Sequence, residues 1–430
     1  MPTRRTARSA ERFGSSKDGD RELKLYRVRQ KLVSNPLGDP VGEVRRRLDG
    51  LGVEVPAGEI ALTAGSRGIA NIAAITRAAG EWLRERGAVP FVVPCMGSHN
   101  GATAEGQRRM VESLGMTEEA LGMEIRSSMD VVKLGTVATG DVYMDRRCFE
   151  SAGVLVINRV KLHTCFSGAV QSGLMKMMVV GMGKIKSAET FHRTPTPRMK
   201  DMIIEMGRVI LVSGKILAGL AILEDGFDQT AEIHALRPEE IPVREPELLE
   251  RNRHYFPRLP LDQINVLIVD SIGKSYSGTG MDINVIGYRG IKGFEDLDKP
   301  RINVIAALAL SDESQGNAIG VGLADFITRR LRSSIDEEKT FINVFTTGDM
   351  ERAKIPATLA DDETLVRNLR DRFGDDRWVF VHDTHHLDEL FVSEDLKEEL
   401  TGHPLCAIDP IPIELFFEKG RHQLPFRSSR

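Results

Sequence analysis

The sequence predicts an α/β protein with two domains, each built on a mostly parallel sheet, and an active-site cleft between them. Its 430 residues suit two domains better than one. The content of 41% hydrophobic and 28% charged residues is typical of a globular protein. Short apolar runs rich in β-branched residues alternate with stretches whose apolar residues recur at helical spacing, which is the pattern of parallel strands joined by helices.

The first half shows this alternation most clearly. Residues 60–63 are predicted to form a strand, and residues 71–86 a helix, because their apolar positions recur at helical spacing. Residues 88–93 are the next predicted strand, followed by a helix over 103–114 and a third strand over 154–158.

A proline-rich stretch over residues 237–260 separates the two halves. It holds five prolines among charged residues, and proline fixes φ and donates no backbone hydrogen bond. No regular element is therefore predicted throughout it. We place the boundary here, with a first domain over 1–260 and a second over 261–430, and leave open whether the last residues return to the first domain.

In the second half the alternation restarts. The predicted strands are residues 265–269, 303–310, 341–345 and 378–381, and the predicted helices are residues 316–332 and 362–372.

Composition excludes several classes of protein and site. The formal net charge of -4 excludes a chain-wide basic field for nucleic acid. With no apolar run of 18 residues and a polar N-terminus, we predict a cytoplasmic protein without a membrane partner. The four cysteines form no CxxC pair, which argues against a disulfide framework or a Cys-rich zinc site. The basic N-terminal arm is compatible with a homo-oligomer.

Three segments carry functional residue types where a predicted strand ends, the favoured ligand position in this fold class. In ALTAGSRGIAN, Arg67 can clamp a carboxylate or phosphate, and a surface arginine in a tight turn is the alternative. In VVPCMGSHNGATAEG, His99 lies between Gly97 and Gly101, and a solvated loop histidine is the alternative.

The third segment, VINRVKLHTCFSGAVQSGLMKMMVVGMGKIKSAETFHR, is the densest. It holds His163, Lys176 and His192. Gly168 and Gly173 allow a flat or phosphorylated ligand to approach closely, so we assign them to cofactor binding. The methionines of this segment, Met175, Met177, Met178 and Met182, are interpreted as core packing.

A further cluster, HDTHH, contains His382, His385 and His386. His382 and His386 could share one helical face and bind a metal. No nearby acidic residue completes a signature such as HExxH, so a polar loop is the preferred interpretation.

In order along most of the chain, these segments resemble the lactate racemase family, whose enzymes use a nickel-pincer nucleotide. IGKSYSGTGMDINVIGYRG and GDMERAKIP in the second half extend the resemblance. Lys176 and His192 are sixteen residues apart (192 − 176), the spacing that the family uses for its cofactor lysine and nickel-binding histidine. The turn around Arg67 and the longer spacing from His163 to Lys176 are closer to the family's uncharacterised homologues than to true lactate racemases.

The resemblance implies a cofactor site in the first domain. Lys176 would be joined to the pincer nucleotide (the pyridinium-3-thioamide-5-thiocarboxylic acid mononucleotide with nickel) through a thioamide. His192 would complete the coordination of the nickel, whose other ligands belong to the cofactor. Enzymes that assemble the cofactor would then be partners of this chain.

The resemblance also implies the substrate site. His99 and His163 would be the acid/base residues on opposite faces of the substrate, with Arg67 and Lys274 binding it as the second domain closes. The implied activity is that of an isomerase, a racemase or epimerase of a 2-hydroxy acid. The reaction would move hydride from C2 to the cofactor and back, because a carbanion beside a carboxylate is very unstable.

Two other functions stay open. A nicotinamide-dependent oxidoreductase would use similar domains and a histidine base, but no GxGxxG follows a strand near the N-terminus. A catalytically silent cofactor-binding homologue would need His99 or His163 to be displaced, and both are present.

Overall fold

Two sheets organise the chain in this computed structural model, which describes residues 23–427 without the side chains of His192, Asn343, Thr346 and Thr347. The predicted N-terminal arm lies outside the described residues. The strands are β1 Lys24–Gln30, β2 Gly58–Ala64, β3 Ala88–Pro94, β4 Val131–Val137, β5 Gly140–Asp145, β6 Gly153–Arg159, β7 Ile216–Glu224, β8 Thr230–Leu236, β9 Gln263–Ile272, β10 Arg301–Leu310, β11 Phe326–Thr328, β12 Ala357–Leu359, β13 Trp378–Val381, β14 Glu389–Val392, β15 Cys406–Ile408, β16 Ile413–Glu414, β17 Phe417–Glu418 and β18 Arg421–His422.

Helices cover the faces of these sheets. They are α1 Pro40–Leu51, α2 Ile72–Arg84, α3 Ala104–Ser113, α4 Glu118–Leu121, α5 Arg146–Glu150, α6 Leu174–Lys176, α7 Lys184–Arg193, α8 Met199–Val212, α9 Ile241–Tyr255, α10 Ile283–Ile286, α11 Arg329–Ser334, α12 Glu337–Thr347, α13 Asp362–Phe373 and α14 Glu394–Leu400. A π-helical turn, Met177–Gly181, follows α6 directly. No helix within residues 23–427 combines the length and apolar character that a membrane crossing requires.

The first sheet has the strand order β3-β2-β6-β7-β8. Its first four strands are parallel, and β8 is antiparallel to β7. Alternate residues of one strand enter different cores: Leu62 packs with α1 and α2, whereas Ala61 packs with α8 and α9. Burial on both faces explains why these strands are nearly continuous apolar runs.

The second sheet has the order β12-β11-β10-β9-β13-β14-β1-β15, and β16 also pairs with β1. The strands from β12 to β13 are parallel, and those from β14 onward are antiparallel. The predicted α/β class with mostly parallel sheets is therefore confirmed. The boundary near residue 260 remains a prediction, but β1 departs from the predicted division because its backbone pairs with β14 and β15 in the second sheet. Near the end of the chain, β16 pairs with β1, β17 and β18 pair with each other, and Leu415 and Leu424 pack in a core of the second sheet.

Each sheet contains a point where the chain changes direction across the sheet. From β2 the chain passes to β3 on one side, and β6 then pairs on the other side of β2. From β9 it passes to β10 on one side, and β13 later pairs on the other side of β9. The carboxyl ends of strands at such switch points form the crevice where ligands bind in open α/β sheets.

The predicted strands at 60–63, 88–93, 154–158, 265–269, 303–310 and 378–381 are confirmed, as are the helices at 71–86, 103–114 and 362–372. The predicted helix over 316–332 is wrong, because Gly316 and Gly320 adopt positive φ and the chain then enters β11. The predicted strand over 341–345 lies inside α12, which Asp336 caps.

The prediction of no regular element over 237–260 is also wrong, since α9 occupies most of this stretch. Pro242 stands in the first turn of α9, where the missing N–H costs nothing. Leu248 and Leu249 are buried by the helix, which outweighs the hydrogen bond lost at Pro246.

Candidate active site

Arg67 lies in the loop between β2 and α2, at the switch point of the first sheet. Buried Glu224, at the end of β7, accepts a hydrogen bond of 2.6 Å from the Ala70 backbone N–H of this loop. The same carboxylate forms an ion pair with Arg159 at the end of β6. The loop is thus tied to two neighbouring strand ends, and the Arg67 side chain is left exposed.

His99 follows β3, on one side of Arg67. Its Nδ1 lies 2.5 Å from the Ser66 hydroxyl oxygen, so the residue before Arg67 orients the imidazole. The loop also packs tightly against the π-helical turn: Gly97 has a φ of 63°, and a Cβ there would lie 3.3 Å from the Val180 carbonyl oxygen. This backbone contact brings the His99 loop against the segment that carries Lys176.

His163 follows β6, on the other side of Arg67, and contacts Lys176. Its Nδ1 accepts the Cys165 backbone N–H at 3.0 Å, so Nδ1 carries no proton and the neutral ring has its proton on Nε2. Nε2 lies 2.5 Å from Lys176 Nζ. An ammonium group has no lone pair to accept this proton, so with this tautomer the hydrogen bond forms to the free amine of Lys176.

The surroundings of Lys176 make it easier to deprotonate than an ordinary lysine. Burial and the nearby positive charge of Arg67 lower the pKa of Lys176 to about 8, although Cys165 acts in the opposite direction. Burial, followed by Arg67, also lowers the pKa of Lys274. Arg159 and burial lower the pKa of Lys161 to about 7, with a further contribution from Arg67. Arg159, Lys161, Lys176 and Lys274 thus place basic groups around Arg67, which makes this cleft attractive to an anion.

The second sheet closes this cleft through the loops that follow β9 and β10. Lys274, directly after β9, donates its backbone N–H to Ser314 Oγ at 2.9 Å. A Cβ on Gly278 would lie 3.3 Å from Thr164 Oγ1 and 3.9 Å from the Arg67 guanidinium, which shows how closely this loop approaches the first half. Asn284 Nδ2 donates to the His163 carbonyl oxygen at 3.2 Å. The carboxyl edges of both sheets thus meet at the site.

Arg352 adds a buried contact between the halves beside His163. It donates to Cys165 Sγ at 3.0 Å and to the Arg289 carbonyl oxygen at 2.9 Å. Arg289 in turn donates to Ser167 Oγ at 2.8 Å. The short segment after His163 is therefore held in place by arginines of the second half.

The HDTHH cluster lies after β13, at the switch point of the second sheet, and forms a loop as preferred. Asp383 is fully buried and accepts hydrogen bonds from His382 Nδ1 and His386 Nδ1 at 2.7 and 2.9 Å. These bonds hold the pKa of Asp383 well below its usual range and raise those of both histidines. The Tyr276 ring stands edge-on to both histidines.

This cluster also reaches the first half. His385 Nε2 lies 2.8 Å from Asp228 Oδ2, and Asp228 follows β7 beside Arg159 and Lys161. Within the described part of the chain, His, Cys, Asp and Glu side chains form no group of three suited to a metal ion. The candidate site also contains Lys161, Tyr276 and Asp228. The sequence favoured a solvated charge at Lys161 and did not single out the other two, and only their positions after strands could have indicated them.

The remaining predicted residues lie around α6 and α7. Gly173 directly precedes α6, and a Cβ at this position would lie 2.3 Å from Glu245 Oε1. Gly168 is close to the Lys200 side chain. Both glycines therefore have a packing reason for their size. His192 is in α7, and its side chain is outside the described part of the structure.

Two other cavities lie away from these residues. One of about 500 Å³ is lined by Arg108, Arg126 and Arg147 on the first half. The other, of about 310 Å³, is lined by Asp270, His422 and neighbouring residues of the second half. Neither includes a residue predicted for the active site.

Comparison with known proteins gives structural matches only. No protein-family profile and no curated protein sequence matches the chain. The lactate racemase apoprotein from Thermoanaerobacterium thermosaccharolyticum has a TM-score of 0.46 and 11% identity, over 84% of this chain and 88% of that one. A structural-genomics target from Thermotoga maritima has a TM-score of 0.48 and 12% identity, over 75% of this chain and 83% of that one. With TM-scores and sequence identities this low, neither match shows the family or the activity of this chain.

Proposed function

We propose that this protein is an isomerase that racemises or epimerises a 2-hydroxy acid with a nickel-pincer nucleotide. The observation that carries the proposal is the order β3-β2-β6. It sets Arg67, an anchor for a carboxylate, between His99 on one side and His163 on the other. Inverting a stereocentre needs a proton acceptor for either enantiomer, and two imidazoles that flank one anchor can provide it near neutral pH.

The cationic cleft defines how the substrate binds. Arg67 can hold the carboxylate through two parallel hydrogen bonds, and Lys274 faces it from the second half. Closure of the two sheet edges around this carboxylate excludes water and strengthens both contacts. The anchor keeps the substrate in place while hydrogen leaves and returns at C2.

Each histidine is prepared for acid/base work by its own neighbour. Ser66 orients His99, and the Cys165 backbone N–H fixes the tautomer of His163. In this arrangement His163 presents a proton at Nε2, whereas His99 uses Nδ1 to contact Ser66. With this tautomer His163 is the proton donor and His99 the acceptor for one enantiomer, and the roles exchange for the other enantiomer once His163 has given up its Nε2 proton.

The residues present fit the proposed cofactor. The free amine is the form of lysine that can be acylated, and a pKa of about 8 makes it accessible at Lys176 near neutral pH. His192 follows on α7 as the proposed nickel ligand. Nickel accepts imidazole and sulfur donors, and the sulfur would arrive with the cofactor. When bound, the cofactor supplies the ring that accepts hydride and returns it. We also propose that loading takes place in the cytoplasm, by cofactor-assembly enzymes.

Co-expression with those enzymes tests this proposal. Intact-mass and metal analysis should find one covalent adduct on Lys176 and one nickel per chain. His192→Ala should lose nickel, while His99→Ala should keep nickel and lose turnover. An unmodified Lys176 in a nickel-free chain, under conditions that load a known family member, would overturn the cofactor assignment. A fully active His99→Ala variant would overturn the two-histidine scheme.

A further inference from the structure

The Lys176 amine, which lies 2.5 Å from His163 Nε2, is a reactive group before any cofactor is attached. Within the described part of the chain, no carboxylate forms an ion pair with Lys176, and Nζ contacts Nε2 of His163. The charged or titratable groups that face it are Arg67, Cys165 and His163, while the Glu245 carboxylate accepts the backbone N–H of Met175. A desolvated lysine beside another cation is a typical amine nucleophile toward carbonyl groups.

Arg67 determines which carbonyl compound fits. Its guanidinium is near enough to Lys176 to influence the ammonium charge, and it lies beside the loop that begins at Gly278. A compound with a carboxylate next to its carbonyl carbon can place the carboxylate on Arg67 and the carbonyl carbon near Lys176 Nζ. Short 2-oxo acids have this arrangement.

We propose that the cofactor-free chain forms an imine between Lys176 and a 2-oxo acid whose carboxylate is bound by Arg67. The amine adds to the ketone carbon, and a proton moves from nitrogen to oxygen to give a carbinolamine. The hydroxyl then leaves as water with the Nε2 proton of His163, and the remaining N–H proton returns to that nitrogen. One C=N bond replaces one C=O bond, with no change in oxidation state.

This activity is separate from the proposed racemisation, because it needs neither nickel nor cofactor. In the loaded enzyme Lys176 would already be acylated, so imine formation belongs to the unloaded chain. A bound 2-oxo acid would therefore compete with cofactor loading at the same nitrogen.

Trapping with cyanoborohydride tests the proposal on the full chain produced without the cofactor-assembly enzymes. With pyruvate as the probe, peptide mapping should find one reduced adduct, on Lys176, formed at a rate that rises with a midpoint near pH 8. Lys176→Arg should lose the adduct. Lys186→Arg, which changes an exposed lysine of the same segment, should keep it.

Formaldehyde distinguishes the reactivity of the Lys176 amine from carboxylate binding by Arg67, since formaldehyde has no carboxylate. Arg67→Gln should slow the pyruvate reaction at Lys176 by about tenfold or more, and leave reductive methylation by formaldehyde in place. Equal pyruvate labelling of Lys176 and Lys186 in the wild type, or a midpoint near that of an ordinary lysine, would overturn the proposal. If imine trapping fails but nickel loading is intact, the imine proposal is wrong and the proposed racemase is unaffected. If trapping succeeds but the chain does not load nickel, the racemase proposal is wrong and the imine proposal is unaffected.

Discussion

Glu245 provides the sharpest test of how the segment around Lys176 is built. It is buried, and its carboxylate accepts the Met175 backbone N–H at 2.9 Å, which caps α6. Burial raises its pKa to about 7, from an ordinary value of 4.5. At about 1.36 kcal/mol per pKa unit, the ionised carboxylate destabilises the folded state by about 3 kcal/mol relative to the protonated form.

The direction in which stability changes with pH follows from the raised pKa of Glu245. The folded state binds the proton more tightly than the unfolded state, so the stabilisation is present below pH 4.5 and is lost as the pH rises to about 7. Glu245→Gln removes the charge and keeps an acceptor for the Met175 N–H. It should therefore raise the free energy of unfolding at pH 8 by up to about 3 kcal/mol and change it little at pH 4.5.

Thermal and urea unfolding at both pH values measure this difference. Glu250→Gln is the matched control, since Glu250 is an exposed residue on the same helix and forms only a surface ion pair with Arg253. The reasoning would be refuted if Glu245→Gln were less stable than the wild type at pH 8, or if it changed the free energy of unfolding equally at both pH values.

Three further predictions concern other contacts of the first half. Lys184→Met should lower the free energy of unfolding by about 3–5 kcal/mol, because it leaves the fully buried Asp145 carboxylate, 3.3 Å from Lys184 Nζ, without its cation. Denaturant unfolding measures this loss, with Lys186→Met, at an exposed lysine, as the control. Gly173→Ala should cost about 1–3 kcal/mol by forcing a Cβ against a buried carboxylate, whereas Gly68→Ala, with open space around it, should be nearly neutral in the same assay. Ser66→Ala should lower kcat about tenfold with nickel content unchanged, since the His99 imidazole loses the hydroxyl that orients it. Ser66→Thr, which keeps a hydroxyl, should restore kcat.

Parallel strands were predictable because burial on both faces leaves unbroken apolar runs in the sequence. The strand ends then located Arg67, His99 and His163 without any knowledge of pairing. The same reasoning failed at α12, where a short apolar run of residues 341–345 reads as a strand, although Asp336 caps a helix over it. Periodicity over so few residues does not separate the two structures.

Contacts between distant segments could not be predicted. The HDTHH loop meets the site because β13 pairs with β9, and no local pattern encodes that pairing. The contact between His163 and Lys176 depends on a backbone N–H that fixes a tautomer. The packing of Gly168 and Gly173 against Lys200 and Glu245 was not predictable either, since a glycine in the sequence does not show which neighbour requires its small size, and their role in cofactor binding stays a prediction.

The stereochemical fate of C2 hydrogen tests the proposed function most directly. The nickel-loaded protein would be given single enantiomers of a panel of 2-hydroxy acids, including sugar acids and aryl acids, in deuterated water. We predict that at least one acid is converted to its mirror-image or epimeric form with the original hydrogen retained at C2. Full deuterium incorporation at C2 in the inverted product would contradict hydride transfer, and no inversion of any acid by the loaded protein would contradict the racemase itself.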